Sequence, residues 1–133
     1  MGGIVKSSCL LVDDSAICGS YESNRLDRVN IQSSDCIWST SVDGSILASP
    51  LLINDKEAVI CTLRGCVYKI NVDTGDHVWR QNLSHPVFGT PLLKDNRVLV
   101  PSVDSCIYLL DTGQSGEQDF PKGFRMERLN ISF

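Results

Sequence analysis

The sequence predicts an all-β chain assembled from repeated, antiparallel four-stranded sheets. Three observations carry that prediction: a fixed self-similarity along the chain, short strand-like runs separated by turn residues, and the absence of any helical periodicity. The segment from Asp35 to Leu52 recurs from Asp76 to Leu93 at an offset of 41 positions, without a gap. Trp38 falls on Trp79, Pro50 on Pro91, and Leu51-Leu52 on Leu92-Leu93. The same offset lays Leu26–Gln32 on Val67–Asp73, and Leu10-Leu11 on Leu51-Leu52.

The second repeat gives the elements in order. Ile46 to Ile53 is the first strand-like run, and an Asn54-Asp55-Lys56 turn follows. Ala58 to Thr62 is the second run, and Arg64-Gly65 turns the chain into Cys66 to Asn71, rich in β-branched and aromatic residues. Asp73-Thr74-Gly75 turns it again into His77 to Asn82. Short runs bounded by polar and glycine turns read as antiparallel strands. Four strands in a unit of 41 residues is the arithmetic of a propeller blade, for which about 40 to 45 residues is typical.

The turn chemistry agrees. Gly75 sits where a tight turn needs φ > 0, which glycine adopts without steric cost. Ser33-Ser34 stands at the matching turn of the first repeat, which predicts a looser hairpin there. Pro50 and Pro91 each interrupt a strand-like run, and a proline cannot donate to a ladder, so each belongs at a sheet edge or a bulge.

The boundaries follow: a first repeat over 4–44, a second over 45–85 and a third over 86–114. The third keeps runs at Val87–Leu93, Arg97–Pro101 and Cys106–Leu110, reaches Asp111-Thr112-Gly113, and lacks the strand that carries a tryptophan. The tail over 115–133 is of a different character and predicts a poorly ordered terminus. Its Lys122, Arg125 and Arg128, interleaved with Phe120, Phe124 and Leu129, offer a basic amphipathic element as the alternative. Three blades, one incomplete, do not close a ring of the usual four to eight. The expectation is an open propeller that associates with missing blades, with other domains of a parent protein, or with copies of itself.

The segment from Cys66 to Trp79, CVYKINVDTGDHVW, resembles the PQQ-like repeat of quinoprotein-type propellers. Tyr68, Thr74, Gly75 and Trp79 match that repeat in the second unit; Tyr108, Thr112 and Gly113 match it in the third, and Trp38 marks the first. Ser49-Pro50 and Thr90-Pro91 before the apolar strand are also typical of the family. The resemblance covers 7–113 and implies that the tryptophans dock one blade onto the next, with Tyr68, Tyr108, Gly75, Gly113, Pro50 and Pro91 as supporting structural positions. A large amphipathic ring at a fixed repeat position suits that task, because it buries much area and carries one N–H donor. The texture of the repeats is further similar to the C-terminal propeller region of β-alanine-activating, acyl-CoA-synthetase-like, adenylate-forming enzymes. That implies a non-catalytic accessory segment whose parent is an ATP-dependent ligase. No phosphate-gripping loop or carrier-serine motif is present here.

The family also contains PQQ-dependent dehydrogenases, which implies a second reading with PQQ and calcium as cofactors. The residues do not favour it: no two cysteines are adjacent, and Asp43, Asp73, Asp104 and Asp111 sit in turn-like segments without calcium-loop spacing. His77 and His85 have no companion at metal-ligand spacing, so no metal and no catalytic residue is expected. A third reading is a stand-alone scaffold module.

The net charge of −4 and the pI near 5.0 argue against a general nucleic-acid or anionic-membrane binder. No apolar run approaches the roughly 18 residues of a spanning helix. The N-terminus shows no secretory signal, which predicts a cytoplasmic protein and reduced thiols for Cys9, Cys18, Cys36, Cys61, Cys66 and Cys106. Cys61 and Cys66 flank a turn and could pair, although inert, buried thiols are the expected state.

Overall fold

The computed structural model describes residues 9–83, 86–87, 90–95, 97–101, 106–111 and 125–130. They form three four-stranded sheets, each antiparallel and each in simple chain order. The first holds β1 (Leu10–Val12), β2 (Ser15–Gly19), β3 (Arg25–Asn30) and β4 (Cys36–Ser41). The second holds β5 (Leu51–Leu52), β6 (Glu57–Cys61), β7 (Cys66–Asn71) and β8 (His77–Asn82). The third holds β9 (Leu92–Lys94), β10 (Arg97–Pro101), β11 (Cys106–Asp111) and β12 (Arg125–Asn130).

The first strands of the second and third sheets are shorter than their sequence runs. Only Leu51 and Leu52 pair with β6, whereas 46–50 cross from the first sheet to the second. Ile46 N donates to Ser20 O at 3.2 Å, and Leu63 N donates to Ser45 O at 2.8 Å, so the crossing segment is tied to both sheets. Pro50 and Pro91 are buried and lie immediately before β5 and β9, where no ladder donor is required.

Of the tail over 115–133, expected to be poorly ordered, only 125–130 is described, and there the third unit, expected to keep three strands, has a fourth. Arg125–Asn130 pairs with β11 over six residues and supplies the fourth strand, with Glu127 opposite Leu109. In the second sheet Trp79 stands opposite Lys69, and in the first Trp38 stands opposite Arg28. The Trp position of the third sheet is therefore held by Glu127. β4 and β8 each carry a bulge, at Ile37 and Val78, and the β11–β12 ladder runs without one.

Equivalent residues form one row across each sheet: Leu10–Ile17–Arg28–Trp38, Leu51–Val59–Lys69–Trp79 and Leu92–Leu99–Leu109–Glu127. The constant offset breaks between the first two strands, because the second sheet's hairpin is one residue longer than its neighbours'.

The second sheet is buried on both faces. Val59, Cys61, Val67 and Trp79 join Val98, Val100, Tyr108 and Leu110 of the third sheet in one apolar cluster. Ala58, Ile60, Tyr68 and Ile70 join Ile17 and Leu26 of the first sheet in another. The alternation of a strand, which sends successive side chains to opposite faces, separates the two cores.

The thiol expectation fails for one pair. Cys9 and Cys18 form a disulfide, with Cα atoms 4.7 Å apart. The β1–β2 register pairs Leu10 with Ile17, so the next positions outward face each other at the close spacing of a non-hydrogen-bonded antiparallel pair. Cys36, Cys61 and Cys66 are free.

Candidate functional site

The best-defined site is the boundary between the first and second sheets. It centres on the carbonyl of Val72, a buried residue just past β7. Trp38 Nε1 donates to that oxygen at 2.8 Å, and Arg28 Nη1 donates to it at 2.7 Å. Arg28 is itself buried; its Nε donates to Ser15 Oγ at 2.6 Å, and its guanidinium lies 3.6 Å from Asp73. Asp73 also accepts from Lys56 Nζ at 2.9 Å. The Lys56 ammonium, then the Arg28 guanidinium, holds the Asp73 carboxyl below its ordinary value, and Asp73 in turn raises Lys56.

The indole of Trp38 lies on the turn at Gly75. Gly75 has φ 80°, and a Cβ there would stand 2.7 Å from two ring carbons of Trp38. Glycine is thus required twice, by the backbone and by the ring. Ser34 holds the same turn position in the first sheet with φ 66°, and it is exposed. Contrary to the expectation of a looser hairpin, the two turns share their hydrogen bonds. Ser34 N donates to Asn30 O at 2.9 Å and Gly75 N to Asn71 O at 2.8 Å. Asn30 Oδ1 accepts from Gln32 N and Ser33 N, and Asn71 Oδ1 accepts from Asp73 N and Thr74 N. The asparagine shapes the turn, a signal that the focus on Gly75 passed over.

A second group closes the same boundary. The backbone N–H of Asp43 donates to Tyr68 Oη at 2.7 Å. Arg80 stacks over the Tyr68 ring at 5.8 Å from its centroid, and His77 meets that ring edge-on at 5.0 Å. His77 Nε2 lies 2.9 Å from Thr40 Oγ1 on the first sheet. Burial raises the Tyr68 phenol.

Trp79 is buried between the second and third sheets. Beside it Lys69 and Glu57 form a buried ion pair at 3.0 Å, in the row positions where the first sheet has Arg28 and Ser15. Tyr108 lies in the same core, and Gly113 falls outside the described residues.

Among the described residues no group of three or more His, Cys, Asp or Glu is placed to hold a metal ion. Cys61 and Cys66 belong to opposite cores, so they cannot bond to each other. Burial pushes the Cys61 thiol up to about 12 and raises that of Cys66, which leaves neither a thiolate at neutral pH. Asp104 and His85 lie outside the described residues. Among the described residues no helix is long and apolar enough to cross a membrane.

The outward faces differ from these boundaries. Leu92 is 64% exposed, whereas Leu10 and Leu51, at the same row position, pack on the two cores. Ile31 is 56% exposed at the position of Val72, which is 1% exposed. Among the described residues, the positions that correspond to the inner boundaries are exposed at Leu92 of the third sheet and Ile31 of the first.

A family profile described as outer membrane protein assembly factor BamB matches residues 22–120. The chain belongs to this BamB-like, PQQ-type repeat family. Solved structures agree on the fold. BamB from Moraxella catarrhalis superposes with a TM-score of 0.70 at 22% identity, over 83% of this chain and 34% of that one. Quinohemoprotein alcohol dehydrogenase from Comamonas testosteroni gives 0.69 at 15% identity, over 83% and 20%. The computationally designed Ika8 protein gives 0.69 at 14%, over 81% and 33%. At these identities the likeness is one of fold, that of a partial β-propeller. The chain spans about a third or less of the length of these proteins. None of the curated proteins searched matches it.

Proposed function

We propose that this chain is a non-catalytic propeller segment, a structural and protein-interaction platform whose open blade faces are completed by further blades. Trp38 and Trp79 are its docking residues, with Gly75, Tyr68 and Tyr108 shaping the surfaces they meet. The observation that carries the reading is the exposure of Leu92, the first residue in the third sheet's row. Leu92 lies open where Leu10 and Leu51 are packed by a neighbouring blade. Exposed apolar sheet of this kind marks an interaction surface.

The parent is left at the level of the family. No comparison supports an adenylate-forming, β-alanine-activating parent enzyme. The Cys9–Cys18 bridge favours an oxidising compartment over the cytoplasm. The reading is tested by light scattering on the purified chain with and without PQQ and calcium. Association indifferent to both supports a platform. Cofactor-dependent compaction would replace it with the quinoprotein dehydrogenase reading.

A further inference from the structure

We propose that the Cys9–Cys18 bridge is a redox-active site, opened by a dithiol through thiol–disulfide exchange, and that Asp27 is the positioning residue that favours its open form. The bridge and the carboxylate share one row of the first sheet. The β1–β2 register sets Cys9 opposite Cys18, Cys18 pairs with Asp27, and Asp27 pairs with Ser39. Arg28, the next residue along β3, reaches the second sheet, so this row lies on the opposite face.

Asp27 is fully buried, and only one of its carboxylate oxygens is used. Oδ1 accepts from Arg25 Nη2 at 3.1 Å, and Arg25 Nε donates to Ser39 Oγ on β4 at 3.1 Å. Arg25 therefore sits toward β4, which leaves Oδ2 toward β2, where Cys18 stands. Among the described residues Oδ2 has no hydrogen-bond partner. At the same position of the second sheet the acceptor is satisfied: Tyr68 Oη accepts from Asp43 N of the preceding unit at 2.7 Å. A buried acceptor without a donor is costly. Side chains directly opposite on neighbouring strands have Cβ atoms about 4.5–5.5 Å apart, within reach of a hydrogen bond between a thiol and a carboxylate. The bridged sulfur of Cys18 carries no proton, whereas the reduced thiol is an S–H donor. Opening the bridge thus supplies the missing donor, and the Asp27 charge stays paired with Arg25.

Access sets the direction of attack. Cys9 is exposed and Cys18 is buried. A thiolate of the dithiol bonds to Cys9 Sγ, the Cys9–Cys18 bond breaks, and Cys18 leaves with the electron pair. Beside a carboxylate the thiolate is disfavoured, so Cys18 takes up a proton and donates it to Oδ2 as S–H···O. The second thiol of the reductant then loses its proton and attacks its own sulfur in the mixed disulfide. Cys9 departs and is protonated, and the reductant is left as a disulfide. Two electrons and two protons have passed from the dithiol to the bridge.

The test equilibrates the folded chain at pH 7 in graded ratios of reduced to oxidised dithiothreitol. Alkylation then traps the thiols, peptide masses read Cys9 and Cys18, and circular dichroism follows the sheet. The wild-type bridge is expected to open with its sheet intact. Asp27→Asn places an amide N–H where Oδ2 accepts, and it is expected to need a ratio about tenfold more reducing. A loss of stability common to both redox forms leaves that ratio unchanged, so the shift reads the acceptor itself. An unchanged or lowered ratio in Asp27→Asn would overturn the inference, as would a wild-type bridge that opens only when the sheet unfolds. Infrared spectroscopy supplies a readout that keeps Asp27 in place. Cys9→Ser leaves Cys18 as a permanent thiol, and subtracting the spectrum of Cys9→Ser combined with Cys18→Ala isolates its S–H stretch. That band is expected at lower frequency than the stretch of a small thiol in an apolar solvent; an unshifted band would overturn the inference.

Discussion

The turns at Ser34 and Gly75 have the same backbone, the same asparagine and the same hydrogen bonds, yet only one of them is covered. Trp38 lies on Gly75 and buries it; Ser34 is exposed. Glycine at this position is therefore demanded by the neighbouring blade as well as by the turn. A left-handed serine costs about 1 kcal/mol and is tolerated where nothing packs on it. A side chain under the indole is not. A residue that looks like turn chemistry in the sequence is, in the second repeat, part of a docking surface.

The largest effect that sharpens this comparison is at the covered turn. Gly75→Ala is expected to destabilise by about 2–4 kcal/mol, combining left-handed strain with overpacking against Trp38. Chemical denaturation measures it, and a cost below about 1 kcal/mol would mean the ring moves aside freely. Asn30→Ala and Asn71→Ala should each cost about 1 kcal/mol, and by similar amounts, because each asparagine accepts from two backbone N–H groups at its turn. A large inequality between them would show that the two turns are not the same device. Ser34→Gly should be mildly stabilising, by about 0.5 kcal/mol, since relief of the positive φ exceeds glycine's added chain entropy. Its readout is a small rise in Tm.

The smallest effect is electrostatic. Asp73 has a folded pKa below its ordinary 3.8, held there first by Lys56 and then by Arg28. Its contribution is present above pH 3.8 and is lost as pH falls through the lowered value. Asp73→Asn should therefore be slightly less stable than the wild type from about pH 4 through neutral pH and have a shallower acid limb, so that the two converge at low pH. Stability measured against pH in both proteins checks this; an unchanged acid limb would remove Asp73 from the boundary.

Much of the fold was legible because repetition is a global signal. One offset placed Trp38 on Trp79 and outlined four runs per unit, and β7 and β8 fall where the second repeat put them. What stayed hidden needed register. The third sheet's last strand has no tryptophan, and its Glu127 takes that place only through pairing with Leu109. Pattern matching to a motif could not find it. The disulfide was closer to hand: Cys9 and Cys18 are equidistant from the Asp13-Asp14 turn, and an antiparallel hairpin about that turn must bring them together. Their scattered spacing along the chain hides this, because the pairing appears only once the hairpin is laid out. The Val72 carbonyl, which receives both Trp38 and Arg28, belongs to the backbone, so no residue type announces it.

The most direct test of blade docking through a tryptophan seated on a glycine turn is a double-mutant cycle of Trp38→Ala and Gly75→Ala, measured by equilibrium denaturation. Removing the indole should relieve the clash, so Gly75→Ala should cost at least about 1 kcal/mol less in the Trp38→Ala background than in the wild type. Additivity within about 0.5 kcal/mol would contradict the account, because the two residues would then act independently and the ring would not hold the second blade.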